Sequence, residues 1–301
     1  MRKILLASTA LVALTSVSAM AADVTISGTT AFTYVNDDKD DTATTSASSF
    51  GVESDIAISF SMTADNGMTA TMTYGIDDND AAADDANATL SGDFGSIMIV
   101  NGKTVDGVDD NYVQAMDENF DLVGEGSDTH NLLGGVEGDS IGYKLPAIVD
   151  GLTIAVQTSN ESDSESFGYG IKYDAGVAAV SYAKISDSSK DYSSIALKGS
   201  AAGLTFAVEQ NVIETSEGTA DEDKTLNYGV EYVIGDGLSI AYEAGSSEDE
   251  TNSSTTSDYT QFEVKYAIAP GIVAVVTSSD VDDQVGSDDV ESMDIQLQLS
   301  F

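Results

Sequence analysis

The side chains with the most chemical potential in this chain are carboxylates, and they are crowded. Between positions 101 and 138 stand Asp106, Asp109, Asp110, Asp117, Glu118, Asp121, Glu125, Asp128 and Glu137, with Lys103 as the one opposing cation. Carboxylates at this density can hold mobile cations in a narrow aqueous path, where low-dielectric walls focus the field. They can also ligate hard divalent ions or divide acid and base work between a pair. Nothing in the spacing picks out such a pair. The competing reading is a solvated surface loop whose charge only keeps the protein soluble. The constriction reading is preferred, because so long a stretch without strand patterning is usually functional.

Two further acidic runs, Asp37-Asp38-Lys39-Asp40-Asp41 and Asp77-Asp78-Asn79-Asp80, are weak calcium or magnesium candidates. Of these, Asp37, Asp38, Asp40 and Asp41 are the named metal candidates. Neither run has the fixed glycine and terminal glutamate of an EF-hand, and a solvated charge run explains both. No cofactor is required by anything in the sequence. Catalysis has little to work with: His130 is the one histidine and cysteine is absent, so triad-type nucleophilic chemistry lacks its parts. No P-loop or dinucleotide fingerprint is present either. The chain is therefore read as not an enzyme.

Charge narrows the partners. The chain has 52 acidic and 11 basic residues, a formal net charge of −41. Such a balance excludes nucleic acid, since phosphate binding needs lysine and arginine. It suits divalent cations, cationic solutes or a saline medium. Arg2 and Lys3, an apolar run from Ile4 to Val17 and the small-x-small triplet Ala19-Met20-Ala21 together read as a signal peptide over 1–21. What remains, 22–301, reads as one domain with nine lysines, no arginine and a formal charge of −43 against the same 52 acids.

The elements that position these groups are strands. Met293, Ile295, Leu297, Leu299 and Phe301 alternate with Ser292, Asp294, Gln296, Gln298 and Ser300 up to the final residue. Period-2 alternation marks a strand between an apolar medium and water. At a free terminus such a strand is an exposed edge unless it is paired. A closed barrel in lipid removes the edge and covers the apolar face. Sixteen strand candidates follow along the chain, from Asp23–Val35 to Val290–Phe301. Tight turns such as Asp65-Asn66-Gly67 and Ala269-Pro270-Gly271 alternate with long acidic stretches such as Asn36 to Ser49, Glu214 to Lys224 and Gly245 to Asp258. Short turns at one end and long loops at the other describe a membrane barrel better than a sandwich.

Alternation also orients individual residues. Lys144, Lys172, Lys198 and Lys265 fall on the polar face and should point inward, because a lysine facing lipid at mid-bilayer costs roughly 2–4 kcal/mol. Tyr173, Tyr232 and Tyr266 precede tight turns, while Tyr182, Tyr192, Tyr242 and Tyr259 lie nearer the long loops. These are expected to form two interfacial girdles, although tyrosine is a common strand residue in any case. Met62, Met68, Met72 and Met98 concentrate on early strands and suggest a subunit interface there.

With these features in place, the chain resembles the alphaproteobacterial (Rhodobacter-type) general diffusion porins of the outer membrane. The resemblance rests on Ala22-Asp23-Val24-Thr25-Ile26-Ser27-Gly28, on Leu90-Ser91-Gly92-Asp93-Phe94-Gly95-Ser96-Ile97, on the long third loop and on Phe301, a terminal aromatic read as a barrel-assembly residue. It implies an all-β, 16-stranded antiparallel transmembrane β-barrel with the third loop folded into the lumen as a constriction. It also implies a homotrimer in the outer membrane of a Gram-negative bacterium, in contact with lipid and lipopolysaccharide. Passive diffusion of small hydrophilic solutes and ions is the implied activity. In those porins a basic cluster, largely arginine on early strands, faces the acidic loop. This chain has no arginine after Arg2, and its first three strand candidates carry no basic residue. The expectation is therefore cation selectivity that weakens as salt screens the field. The alternative is a structural or adhesive acidic cell-surface β protein, which regular glycine–aspartate repeats would favour; none are present.

Overall fold

The computed structural model describes residues 23–39, 47–77, 86–101, 108, 139–161, 164–215, 221–235, 237–249, 255–283 and 290–301. These form sixteen strands closed into one antiparallel barrel. In chain order the strands begin with β1 (Asp23–Lys39), β2 (Ala47–Thr63), β3 (Thr69–Asp77) and β4 (Ala86–Gly92). Next come β5 (Gly95–Val100), β6 (Ser140–Lys144), β7 (Leu152–Glu161) and β8 (Ser164–Asp174). The second half holds β9 (Ala178–Ser186), β10 (Lys190–Ala201), β11 (Leu204–Thr215) and β12 (Asp221–Gly235). The last four are β13 (Leu238–Asp249), β14 (Thr255–Ala269), β15 (Ile272–Asp283) and β16 (Val290–Ser300). Each strand pairs with its neighbours in sequence, and β16 returns to β1 through Thr29–Ser300 to Lys39–Val290. Among the described residues no helix is long and apolar enough to cross a membrane; the strands do the spanning.

The seam explains the terminal phenylalanine. Gly28 and Phe301 exchange backbone hydrogen bonds of 3.2 and 3.1 Å. The Phe301 ring lies over Gly28, where a Cβ would come within 2.8 Å of it. The free end of β16 is thus fastened beside β1, and no sheet edge remains open.

The outer face is apolar along its length. Ile97 and Ile99 on β5, Phe167 and Ile171 on β8, Ile195 and Leu197 on β10, and Leu226, Tyr228 and Val230 on β12 are exposed. Their alternating neighbours are small, polar or buried. No soluble fold leaves so continuous an apolar surface bare; a bilayer covers it. Above this band, at the long-loop end, outward positions become charged, and Lys184–Asp191 (3.0 Å) and Lys224–Glu222 (2.7 Å) form ion pairs there.

Several expectations need correction. Strands extend well into stretches read as loops: Glu214 pairs Glu222 and Val212 pairs Lys224, so the Glu214–Lys224 segment is partly ladder. Gly245 to Asp249 likewise belongs to β13. Backbone pairing needs no apolar face once the hairpin rises above lipid, so the alternation that reveals strands fades before the strands end. β1 reaches Lys39, so the first three strands do carry one basic residue. Tyr173, Tyr232 and Tyr266 are exposed on the outer face, as are Tyr182 and Tyr242, but Tyr242 pairs with Val230 in mid-band, one row from Tyr232. Tyr259, by contrast, is buried, and Tyr192 packs on a lumenal cluster. Met98 is buried on the lumenal face as well, which removes it from any outer interface.

Candidate pore lining

Inward positions of neighbouring strands fall into rows, because antiparallel pairing sets like-facing residues side by side. One row joins Ser194, Asn211 and Thr225 across β10, β11 and β12. Below it, Ala196, Glu209, Asn227, Gly245 and Tyr259 run from β10 to β14. The next holds Lys198, Ala207, Gly229, Glu243 and Gln261. A further row links Thr205, Glu231, Ala241, Glu263, Thr277 and Asp294 from β11 to β16. Lys265 sits beside Ser239 and Val275 in the row after that.

The four wall lysines share the parity of these lumenal residues. Lys144 alternates with exposed Ile141 and with Tyr143, Lys172 with exposed Ile171 and Tyr173, Lys198 with exposed Ile195 and Leu197, and Lys265 with exposed Phe262 and Tyr266. In a ring of sixteen, β6 stands opposite β14, β8 opposite β16 and β10 opposite β2. Lys144, Lys172 and Lys198 therefore face an arc that holds Glu263, Asp294, Glu53 and Asp55. Glu53 and Asp55 are exposed on the lumenal face of β2, and Thr29 Oγ1 donates to Asp55 Oδ2 at 3.4 Å.

The lumenal glutamates were not singled out from the sequence. Glu209, Glu243 and Glu263 are 1%, 7% and 3% exposed, and buried carboxylates need partners. Ser194 Oγ donates to Glu209 Oε1 at 2.9 Å. Tyr259 Oη lies 2.8 Å from Glu243 Oε1 and 3.2 Å from Asn227 Oδ1. A phenol has a single proton to give. It goes to the carboxylate, the nearer acceptor, and the Asn227 amide oxygen stays beside the phenol as the longer contact. Gly245 makes this reach possible, since a Cβ there would sit 2.3 Å from Tyr259 Cε1 and 2.4 Å from the Asn227 amide oxygen. The signal that would have found these glutamates is the same two-residue parity that oriented the lysines.

A different surface lines β5 to β9. Met98, Val100, Ala155, Ala183 and Ile185 form a buried apolar cluster on lumenal positions. Val108 completes it and is fully buried. A Cβ at Gly168 would meet Ile185 Cγ1 at 2.9 Å, Gln157 Cγ at 3.1 Å and Val108 Cγ1 at 3.2 Å. Val108 thus packs into the barrel against inward-facing side chains. The carboxylates Asp106, Asp109, Asp110, Asp117, Glu118, Asp121, Glu125 and Asp128 lie outside the described residues, as do Asp40, Asp41 and the 1–21 segment. Asp37 and Asp38 have a strand backbone in β1, paired with Ser292 and Glu291.

A family model described as Gram-negative porin matches residues 7–296. The chain belongs to the Gram-negative porin family. Solved porin structures share its fold. An anion-selective porin from Comamonas acidovorans superposes with a TM-score of 0.71 at 11% identity, covering 93% of this chain and 100% of that one. OmpT of Vibrio cholerae in its trimer form gives 0.71 at 12% identity, with 94% and 100% covered. A mutant of the Rh. blastica porin gives 0.64 at 13%, with 93% and 100% covered. No curated protein sequence matches this one. Family and fold make this porin an outer-membrane channel for passive transport.

Proposed function

We propose that this porin is a cation-selective diffusion channel of the Rhodobacter type, constricted by its third loop. The observation that carries the reading is the burial of Val108 within the lumenal cluster of β5, β7 and β9. An anchor at that position supports a loop course that brings the acidic residues after it into the aqueous path. There they would raise the local cation concentration. The wall adds to the bias. Its lumenal carboxylates Glu53, Asp55, Glu209, Glu231, Glu243, Glu263 and Asp294 outnumber Lys144, Lys172, Lys198 and Lys265. The lysines on β6, β8 and β10 would give a transverse field the positive side that arginine supplies elsewhere.

The further parts of this reading are a homotrimer, export by a cleaved signal over 1–21, and insertion guided by Phe301. Calcium or magnesium at the acidic loops would bridge to lipopolysaccharide. The trimeric OmpT neighbour supports the oligomer. The Comamonas neighbour is anion-selective, so selectivity has to come from the charges of this chain rather than from its fold. Planar-bilayer recording under a KCl gradient tests the proposal. The expected reversal potential is that of a cation-selective pore at low salt, shrinking as the Debye length falls from ~10 Å at 0.1 M to ~3 Å at 1 M. A potential near zero or of anionic sign at low salt overturns it.

A further inference from the structure

The upper rows of the β10–β14 wall hold an amide that the ion path does not explain. Asn211 is 1% exposed, and among the described residues neither its Oδ1 nor its Nδ2 has a hydrogen-bond partner. Buried amides are paired in nearly every folded protein, so an unpaired one marks a place where something of matching chemistry binds. Its neighbours define that chemistry. Ser194 and Thr225 stand directly beside Asn211 on the flanking strands. Glu209 lies two residues away on the same face, with Asn227 across from it on β12. Ser194 Oγ already donates to Glu209 Oε1 at 2.9 Å, which draws the two rows together. The Asn227 amide oxygen lies 3.2 Å from the Tyr259 hydroxyl and keeps a second lone pair to offer.

The neighbours offer mainly oxygen: a carboxylate, amide carbonyls and hydroxyls. Hard cations take that donor set. Glu209 repels an anion, and an apolar group would leave the Asn211 amide as it stands. We propose that Glu209, Asn211, Ser194, Thr225 and Asn227 form a binding site for a hard cation of the calcium class, held in the barrel wall. Magnesium fits less well, because it demands near-ideal octahedral geometry and keeps several of its waters, whereas these side chains are closed off from solvent. Among the described residues no three histidine, cysteine or carboxylate groups converge. The site is therefore poor in charge, and its calcium affinity belongs with the weak, roughly 10⁻⁴–10⁻³ M class. The site is independent of ion selectivity and stands or falls separately from it.

Calcium titration of the EDTA-stripped, detergent-solubilised porin in KCl tests the site, read by calorimetry and by the shift in thermal unfolding. Because other carboxylates of so acidic a chain can also attract calcium, the comparison is between variants that leave those carboxylates intact. Glu209→Gln keeps the Ser194 hydrogen bond and removes the charge; it is expected to weaken the site at least ~10-fold. Asn211→Leu is expected to abolish the site's heat. Asn211→Asp adds a second carboxylate and should tighten binding by a similar factor. If Glu209→Gln does not fold, the opposed responses of Asn211→Leu and Asn211→Asp decide the matter. Identical calcium responses in wild type and the Asn211 variants overturn the proposal, and show that ordered water satisfies the amide instead.

Discussion

Replacing Val108 with aspartate tests the lumenal anchor most directly. The native side chain is fully buried against Met98, Val100, Ala155, Ala183 and Ile185. Burial of a valine contributes about 1.5–3 kcal/mol relative to exposure. An aspartate forfeits that gain and adds the several kcal/mol needed to desolvate an unpaired carboxylate. Contact then costs more than release, so the residue should leave the cluster and take its segment with it. The barrel itself is held by ladder hydrogen bonds from sixteen strands and should survive. Single-channel conductance in dilute KCl should rise and become noisier, and liposome swelling should admit larger sugars. Val108→Ile, which keeps the apolar contact, should behave like wild type. A Val108→Asp porin that folds normally yet keeps wild-type conductance and exclusion size would refute the anchor.

Other perturbations reach different parts of the barrel. Gly245→Ala places a methyl 2.3 Å from the Tyr259 ring carbon Cε1; overpacking of this kind costs about 1–3 kcal/mol, and should lower the unfolding temperature. Tyr259→Phe removes the hydroxyl beside Glu243 and leaves the carboxylate without that donor. The expected loss is about 1–3 kcal/mol, read by the same melt, and an unchanged melting curve would show that water replaces the phenol. Lys198→Glu should raise the potassium-to-chloride permeability ratio without harming folding. The adjacent Leu197→Lys, facing lipid, should cost about 2–4 kcal/mol if it lies near mid-bilayer and impair assembly. The outer ion pair Lys184–Asp191 sits at the rim with both partners partly exposed; Lys184→Ala should change stability by no more than ~1 kcal/mol.

The alternation of Met293, Ile295, Leu297 and Leu299 with Asp294, Gln296 and Gln298 was sufficient to read a barrel in lipid, and the same rule oriented the wall lysines. It had equal power over Glu209, Glu243 and Glu263, which share a parity with Ala207, Ala241 and Gln261. The third-loop carboxylates are the more conspicuous source of charge, because they stand together in the chain while these three are spread over separate strands. Tyr192 and Tyr259 fit a girdle by their height along the strand, but parity turns them into the lumen. Height and facing are separate coordinates, and only their combination places a side chain.

Local sequence therefore determined the two-faced strand, the turn positions and the excess of negative charge, since each depends on residues adjacent in the chain. Which residues meet across the lumen was decided by closure of the sheet. The register carries Glu209 beside Asn227, lays Tyr259 over Gly245 and brings Val108 against Ile185. Those contacts join residues distant in sequence, and no periodicity along a single strand encodes how far its neighbour has slipped.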